Sequence, residues 1–177
     1  MEVRDAVSLI RNAIGRDAGT WADLGAGTGT FTRALAETLG AGSVVYAVDK
    51  DAGALASLSS WRGDAHIVRV TADFTTPFEL PGLDEAQLDG ILLANALHFV
   101  RDASDVLTRL VQRVRVGGKV VLVEYDRREA SRWVPYPISI SRWPELAKAA
   151  GLSDPSVVAT RPSMYSGTLY VGVATRD

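Results

Sequence analysis

Cysteine is absent from the 177-residue chain, which removes disulfides, thiol catalysis and thiolate metal sites from consideration. Histidine is scarce: His66 and His98 are the only imidazoles. A zinc centre would have to draw most of its ligands from carboxylates, so no metal is expected. Neither charge is in surplus. Nineteen Lys and Arg stand against 21 Asp and Glu, a formal charge of −2. A chain with no basic excess lacks the electrostatic footprint of a nucleic-acid binder. No apolar run approaches the ~20 residues that span a bilayer. Residues 1–10 lack the charged-then-apolar order of a secretion signal. The expectation is a cytoplasmic protein with a true N-terminus and with neither membrane nor nucleic acid as partner.

The remaining composition is that of an ordinary globular chain. Hydrophobic residues make up 47% and charged residues 23%, which excludes long disorder. The length fits one domain over residues 1–177, enough to bury roughly 70% of the unfolded surface around a single core. There is neither a repeat nor a low-complexity linker.

Two periodicities alternate along the chain. Val3, Val7, Ile10 and Ile14 recur at helical spacing until Gly15. Residues 21–24 are a short apolar run ending in glycines. Phe31, Leu35 and Leu39 mark a second helix closed by Gly40. Residues 43–48 read as a buried strand stopped by Asp49, residues 51–60 as a short helix, and residues 66–71 as a strand. Pro77, Pro81 and Gly82 make residues 74–85 mostly loop. Residues 87–94 and 119–124 are too apolar for a solvated face and suit a sheet covered on both sides. Between them Val106, Leu107, Leu110, Val111 and Val114 form a helical stripe, with Gly117 and Gly118 turning the chain. Residues 127–141 are irregular, residues 143–150 helical, and residues 157–160 and 169–175 suit an antiparallel hairpin. Such alternation implies a doubly wound α/β fold, with the ligand beyond the carboxyl ends of the strands.

The chemistry begins at Asp23-Leu24-Gly25-Ala26-Gly27-Thr28-Gly29, between a strand and a helix. Gly25 permits a tight turn, Gly27 lets a ligand approach the backbone, and Gly29 leaves room as the helix starts. Helix-start amides suit an anion. Asp49, ending the next strand, is placed to accept hydrogen bonds from a ribose diol. Dinucleotide binders want G-x-G-x-x-G, but Thr30 fills the third glycine slot here. Asp23 is awkward beside a pyrophosphate and apt for a cationic amino group. Charge logic favours a ligand with an α-amino end and a ribose.

In these motifs the sequence resembles the class I S-adenosylmethionine (SAM)-dependent methyltransferases of the small single-domain type. The likeness runs from about Trp21 to Glu124. It implies a mostly parallel seven-stranded sheet in the order 3-2-1-4-5-7-6, the last strand antiparallel. DLGAGTG resembles the family's first motif, so Asp23, Gly25, Ala26, Gly27 and Gly29 would hold the methionine part. VYAVDKD resembles the second, with Asp49 on the ribose hydroxyls and Lys50 beside the adenine. TADF resembles the third, with Asp73 toward the adenine amine and Ala72 and Phe74 flanking it. ILLANALHFV resembles the fourth-strand end, where Asn95 faces cofactor and acceptor. VGGKVVLVEYD resembles the glycine turn and fifth strand.

Methyl transfer from a sulfonium needs chiefly alignment, and a base only where the acceptor must lose a proton. His98, just past the fourth strand, is the candidate base; the alternative is a histidine that packs against the loop and hydrogen-bonds backbone. His66 reads as structural. Asn95-Ala96-Leu97-His98 departs from the Asn/Asp-Pro-Pro-Tyr of base and amide N-methyltransferases. Asp102 is the nearest downstream acid, so a metal-dependent site is not expected. In the loop after the fifth strand, Arg127, Arg128 and Arg132 suit an anionic group, with Trp133 and Tyr136 as its cover; a solvated charged loop is the competing reading. The expected activity is methyl transfer to a small-molecule acceptor through oxygen, nitrogen or carbon. The rivals are a non-catalytic SAM-binding or partner subunit and a nicotinamide oxidoreductase.

Overall fold

Apolar residues at helical spacing build the first helix of the computed structural model, which describes residues 1–83, 87–127, 129–163 and 167–177. In α1 (Val3–Ile14) the side chains of Ala6, Leu9, Ile10, Ala13 and Ile14 are buried, and Gly15 ends the helix at φ 90°. Five strands follow with parallel pairing: β1 (Thr20–Leu24), β2 (Val44–Asp49), β3 (His66–Thr71), β4 (Leu88–Ala94) and β5 (Val114–Tyr125). The helices between them are α2 (Thr30–Leu39), α3 (Ala52–Leu55) and α4 (Ala103–Val111). After α5 (Trp143–Ala149), the strands β6 (Leu152–Pro162) and β7 (Thr168–Arg176) complete a seven-stranded sheet in the order β3-β2-β1-β4-β5-β7-β6. β7 runs antiparallel to both neighbours.

The strands read as continuous apolar runs because both faces of the sheet are covered. Val45, Leu92 and Val121 pack against α1 and α2 on one side. Tyr46, Ile91 and Val120, each one residue away, pack with α4 and α5 on the other. Fully enclosed side chains such as Leu35, Leu92 and Leu107 each contribute roughly 1.5–3 kcal/mol by leaving water. None of the helices among the described residues is long and apolar enough to cross a membrane.

Four local readings change. Val114 opens β5 instead of closing α4, which ends at Val111; the side chain is fully buried. Residues 117 and 118 lie within β5, in an irregularity between the pairs Leu88–Val114 and Gly90–Lys119. A Cβ on Gly118 would lie 2.8 Å from the carbonyl oxygens of Arg115 and Asp89, so the folded-out strand needs glycine there. Residues 51–60 are only one α-turn, capped by Asp51, continued as a 3₁₀ turn over Ala56–Ser60. The Ser57 hydroxyl donates to the Thr28 and Ala54 carbonyls, the backbone-directed bonding by which serine weakens regular helix. β6 is longer than the sequence suggested, extending past Pro155, which an edge strand tolerates.

The parallel register places the ends of four strands side by side. Leu24 pairs with Val48, Asp23 with Leu92, and Ala94 with Val123. The residues that follow these ends form the site.

Candidate functional site

The glycine loop is tied to β2 first. Gly25 and Ala26 donate their N–H groups to the Val48 carbonyl at 2.8 and 3.0 Å. Gly25, Gly27 and Gly29 all have positive φ, at 82°, 53° and 82°, which a side chain would strain. Their surroundings differ. A Cβ on Gly25 would lie 2.6 Å from the Ala96 Cβ, and one on Gly29 would lie 2.3 Å from a Leu58 methyl. Around Gly27 nothing among the described residues beyond its chain neighbours stands within 4 Å of that position. Gly25 and Gly29 make room for protein, whereas Gly27 borders open space.

Asp49 braces this loop. Its Oδ2 accepts the Gly27 N–H at 2.8 Å and its Oδ1 the Asp51 N–H at 2.9 Å. A carboxylate has about four acceptor positions, so two remain for a ligand. Asp49 lines a cavity of about 400 Å³ with Gly25, Lys50, Ala72, Asp73, Phe74 and Asn95. Asp73 also shapes its own turn: its Oδ1 accepts the Thr75 hydroxyl at 2.6 Å and amide at 2.8 Å. Those bonds hold its carboxyl below the ordinary range. Ala26, Gly27 and Thr28 line a second cavity, about 370 Å³, with Asp5, Tyr125 and Arg161.

Asp23 lies beneath the loop, 1% exposed. Its Oδ2 accepts the Thr32 hydroxyl at 2.6 Å; its Oδ1 is buried without a partner among the described residues. Burial pushes the carboxyl up to about 7, the Thr32 bond opposes this, and the Asp49 charge adds to it. A carboxyl in this state suits the approach of a cation.

Asn95 joins the cavities. It is one of two non-glycine residues with positive φ among those described, at 53°, and its N–H donates to Val123 at 2.8 Å. Its Oδ1 is buried without a partner among the described residues. It lines both cavities already described and a third of about 650 Å³, which His98, Phe99, Tyr125, Arg127, Trp133 and Val134 also line.

His98 sits in a 3₁₀ turn over Leu97–Phe99 and is buried. Its Nδ1 is 2.5 Å from Oε2 of Glu124, and its backbone N–H donates to Oε1 of the same carboxylate at 3.2 Å. Glu124 is fully buried near the end of β5. An acceptor carboxylate on Nδ1 selects the tautomer with the proton there, leaving the lone pair on Nε2. Nε2 has no hydrogen bond among the described residues. The main chain of His98 also meets the loop, the Tyr136 N–H donating to the His98 carbonyl at 2.9 Å, while the side chain bonds Glu124 and not backbone.

Of the loop residues named from sequence, Arg127 and Trp133 line the cavity with His98. Tyr136 lines a neighbouring depression, the Arg132 guanidinium lies 5.4 Å from the Trp133 ring centroid, and Arg128 lies outside the described residues. Sequence reasoning missed Glu124 and Phe99. The signal for Glu124 was present: an acid closing the apolar run Val120 to Val123 is out of place in a buried strand unless it has a partner.

The sequence model of the family described as "Methyltransferase domain" matches residues 22–120. A reducing polyketide synthase, grgA, of Penicillium sp is 28% identical over 167 residues, which cover 82% of this chain and 7% of that protein. The chain therefore spans a small fraction of that curated relative's length. The fold is similar to that of Burkholderia thailandensis 1,6-didemethyltoxoflavin-N1-methyltransferase, solved with 1,6-didemethyltoxoflavin and S-adenosylhomocysteine: TM-score 0.71, 23% identity, 99% of this chain and 78% of that one. It is also similar to the CurJ carbon methyltransferase (TM-score 0.71, 18% identity, 95% and 51% covered). A Haemonchus contortus phosphoethanolamine N-methyltransferase 2, solved with phosphomonomethylethanolamine and S-adenosylhomocysteine, has TM-score 0.71 and 14% identity, with 98% and 52% covered.

Proposed function

As the chain belongs to the methyltransferase-domain family, we propose that it transfers a methyl group from SAM to a small-molecule acceptor, with His98 removing the acceptor's proton. One observation carries the reading. A buried imidazole oriented by a buried carboxylate lines a cavity that Asn95 joins to the glycine loop.

The residues present fit the cofactor. Among the described residues, Gly27 borders open space, Asp49 keeps free acceptor positions beside the cavity, and Asp23 has an unpaired buried oxygen. Gly25, Lys50, Ala72, Asp73, Phe74 and Asn95 would enclose the adenosine; Ala26 and Gly27 would meet the amino-acid part, with Asp23 beneath them and Gly29 holding the helix start. Bound there, SAM supplies an electrophilic methyl group on a sulfonium. His98 then serves as base through Nε2, while Glu124 holds Nδ1 and stabilises the imidazolium. Such a base suits an acceptor atom that must be deprotonated. The similar proteins include a carbon methyltransferase and two N-methyltransferases, so carbon and nitrogen acceptors are both tested alongside oxygen.

SAM and S-adenosylhomocysteine are expected to bind in calorimetry and to raise the melting temperature, with no response to NADH. Methyl transfer should appear in a mass-spectrometric screen of β-keto thioesters, phenols and amines. A chain that ignores both sulfur nucleosides would overturn the assignment. Asp49→Ala removes charge-assisted acceptors and should weaken S-adenosylhomocysteine binding about 10–100-fold. Wild-type affinity in that variant would remove Asp49 from the site.

A further inference from the structure

We propose that the depression lined by Arg101, Arg127, Tyr136, Ser139 and Arg142 binds a phosphoryl group at the far end of the methyl acceptor. The acceptor class is then an elongated phosphate ester. This rests on the methyltransferase reading for the identity of the ligand, and the test below separates the two.

The depression measures about 370 Å³, and three arginines are among the residues that line it. Arg101 donates from Nε to the Tyr136 hydroxyl at 3.3 Å, and its Cζ lies 5.8 Å from that ring's centroid. Arg142 donates from Nη1 to the Pro137 carbonyl at 3.0 Å. Each of the two is held against the Tyr136-Pro137 segment through one donor. A guanidinium carries five, so most of their donor capacity is unspent. The Arg127 side chain donates to nothing among the described residues. The ion pairs among those residues are His98–Glu124, Arg115–Asp89 and Arg161–Asp5, and none involves these three arginines. Of the neighbouring acids, Asp102 acts on Arg101 without pairing with it, and Asp126 accepts the Ile140 N–H at 3.0 Å. Arg101 and Arg142 are exposed, so their charge is open to solvent and to an anionic ligand, with no carboxylate paired to it among the described residues.

The ligand's chemistry follows from the donor count. One arginine fork satisfies both oxygens of a carboxylate. Three arginines lining one depression carry more donors than that demand, enough for the three or more oxygens of a phosphoryl group. Its position follows from Arg127, which lines this depression and also the cavity holding His98. Between the two runs the segment clamped by the bond from Tyr136 N–H to the His98 carbonyl. An acceptor with its reacting atom at His98 and its phosphoryl group past Arg127 would lie along Phe99 and Trp133. Those side chains are 57% and 74% exposed, and burial against a ligand's apolar middle would be favourable.

The test titrates phenyl phosphate, methyl phenyl phosphate and phenol into wild type, Arg127→Ala, Arg101→Ala/Arg142→Ala and Arg101→Lys/Arg142→Lys. S-adenosylhomocysteine is titrated in parallel. Phosphates should bind and phenol should not. Affinity should fall about tenfold or more in both alanine variants, less in the lysine pair, and in wild type as salt rises. S-adenosylhomocysteine affinity should stay constant throughout, which also reports that the variants are folded. A tighter monoester identifies a free phosphate ester as the source; an equal or tighter diester identifies an acceptor attached through its phosphate. Phenol binding as well as the phosphates, or phosphate binding unchanged in the double alanine variant, overturns the subsite. Phosphate binding without S-adenosylhomocysteine binding would instead overturn the methyltransferase reading and leave an anion site.

Discussion

Replacing His98 by glutamine is expected to lower turnover by about 10²–10⁴-fold, the usual contribution of a positioned general base, with S-adenosylhomocysteine affinity unchanged. The reason is geometric. Nδ1 is held 2.5 Å from a carboxylate oxygen inside the protein, while Nε2 has no partner among the described residues and the ring borders the largest of the three cavities joined by Asn95. Glutamine fills similar space and cannot take the proton. Glu124→Gln keeps an acceptor for Nδ1–H but removes the charge that offsets the imidazolium, so kcat should fall by less, with KM little changed. A structural role for the pair would depress all acceptors alike. A base makes the deficit of His98→Gln shrink as the acceptor becomes more acidic, because less proton removal is then asked of the protein. Wild-type turnover in His98→Gln, or a deficit blind to acceptor acidity, would remove His98 from the chemistry.

The topology was legible because two periods dominate the chain. The runs in β2, β4 and β5 are apolar on both faces, and α1, α2 and α4 carry one-sided stripes. Val114 was misread because a buried valine three residues after Val111 suits the end of a helix stripe as well as the start of a strand. Only its pairing with Leu88 decides between them. The residues named for the cofactor lie next to strand ends or in the glycine loop, where parallel register brings them together without further information. The acceptor side was less legible. Glu124 acquires its role only through His98, across a crossover from β4 to β5. Arg101 and Arg142 stand on separate segments and converge with Arg127 only because residues 133–139 are folded against the His98 turn. No period in the sequence encodes such convergence.

Asp23→Asn is expected to alter both stability and ligand binding as functions of pH. The carboxyl is pushed up to about 7 in the folded chain from an ordinary 3.8. Below the unfolded value both states are protonated and the group costs nothing. As pH rises toward 7 the unfolded chain loses this proton first, so folding stability falls. Above about 7 the loss is complete, and at 1.36 kcal/mol per pKa unit it amounts to roughly 4 kcal/mol. Roughly 2–3 kcal/mol of it should appear between pH 5 and pH 8. Asparagine retains an acceptor for the Thr32 hydroxyl and carries no charge. Urea titrations should therefore show the variant without that part of the wild-type decline, and equal declines would refute the buried-acid account. Ligand binding tests the role of the unpaired Oδ1. An ammonium arriving beside it lowers the carboxyl's pKa, so S-adenosylhomocysteine should release a proton on binding wild type near pH 6. Calorimetry in two buffers of different ionisation heat reads that proton directly. In Asp23→Asn it should disappear and the affinity should fall. Proton release that persists in the variant would place the ammonium elsewhere, and Asp23 would then act only as a brace for the helix that starts at Thr30.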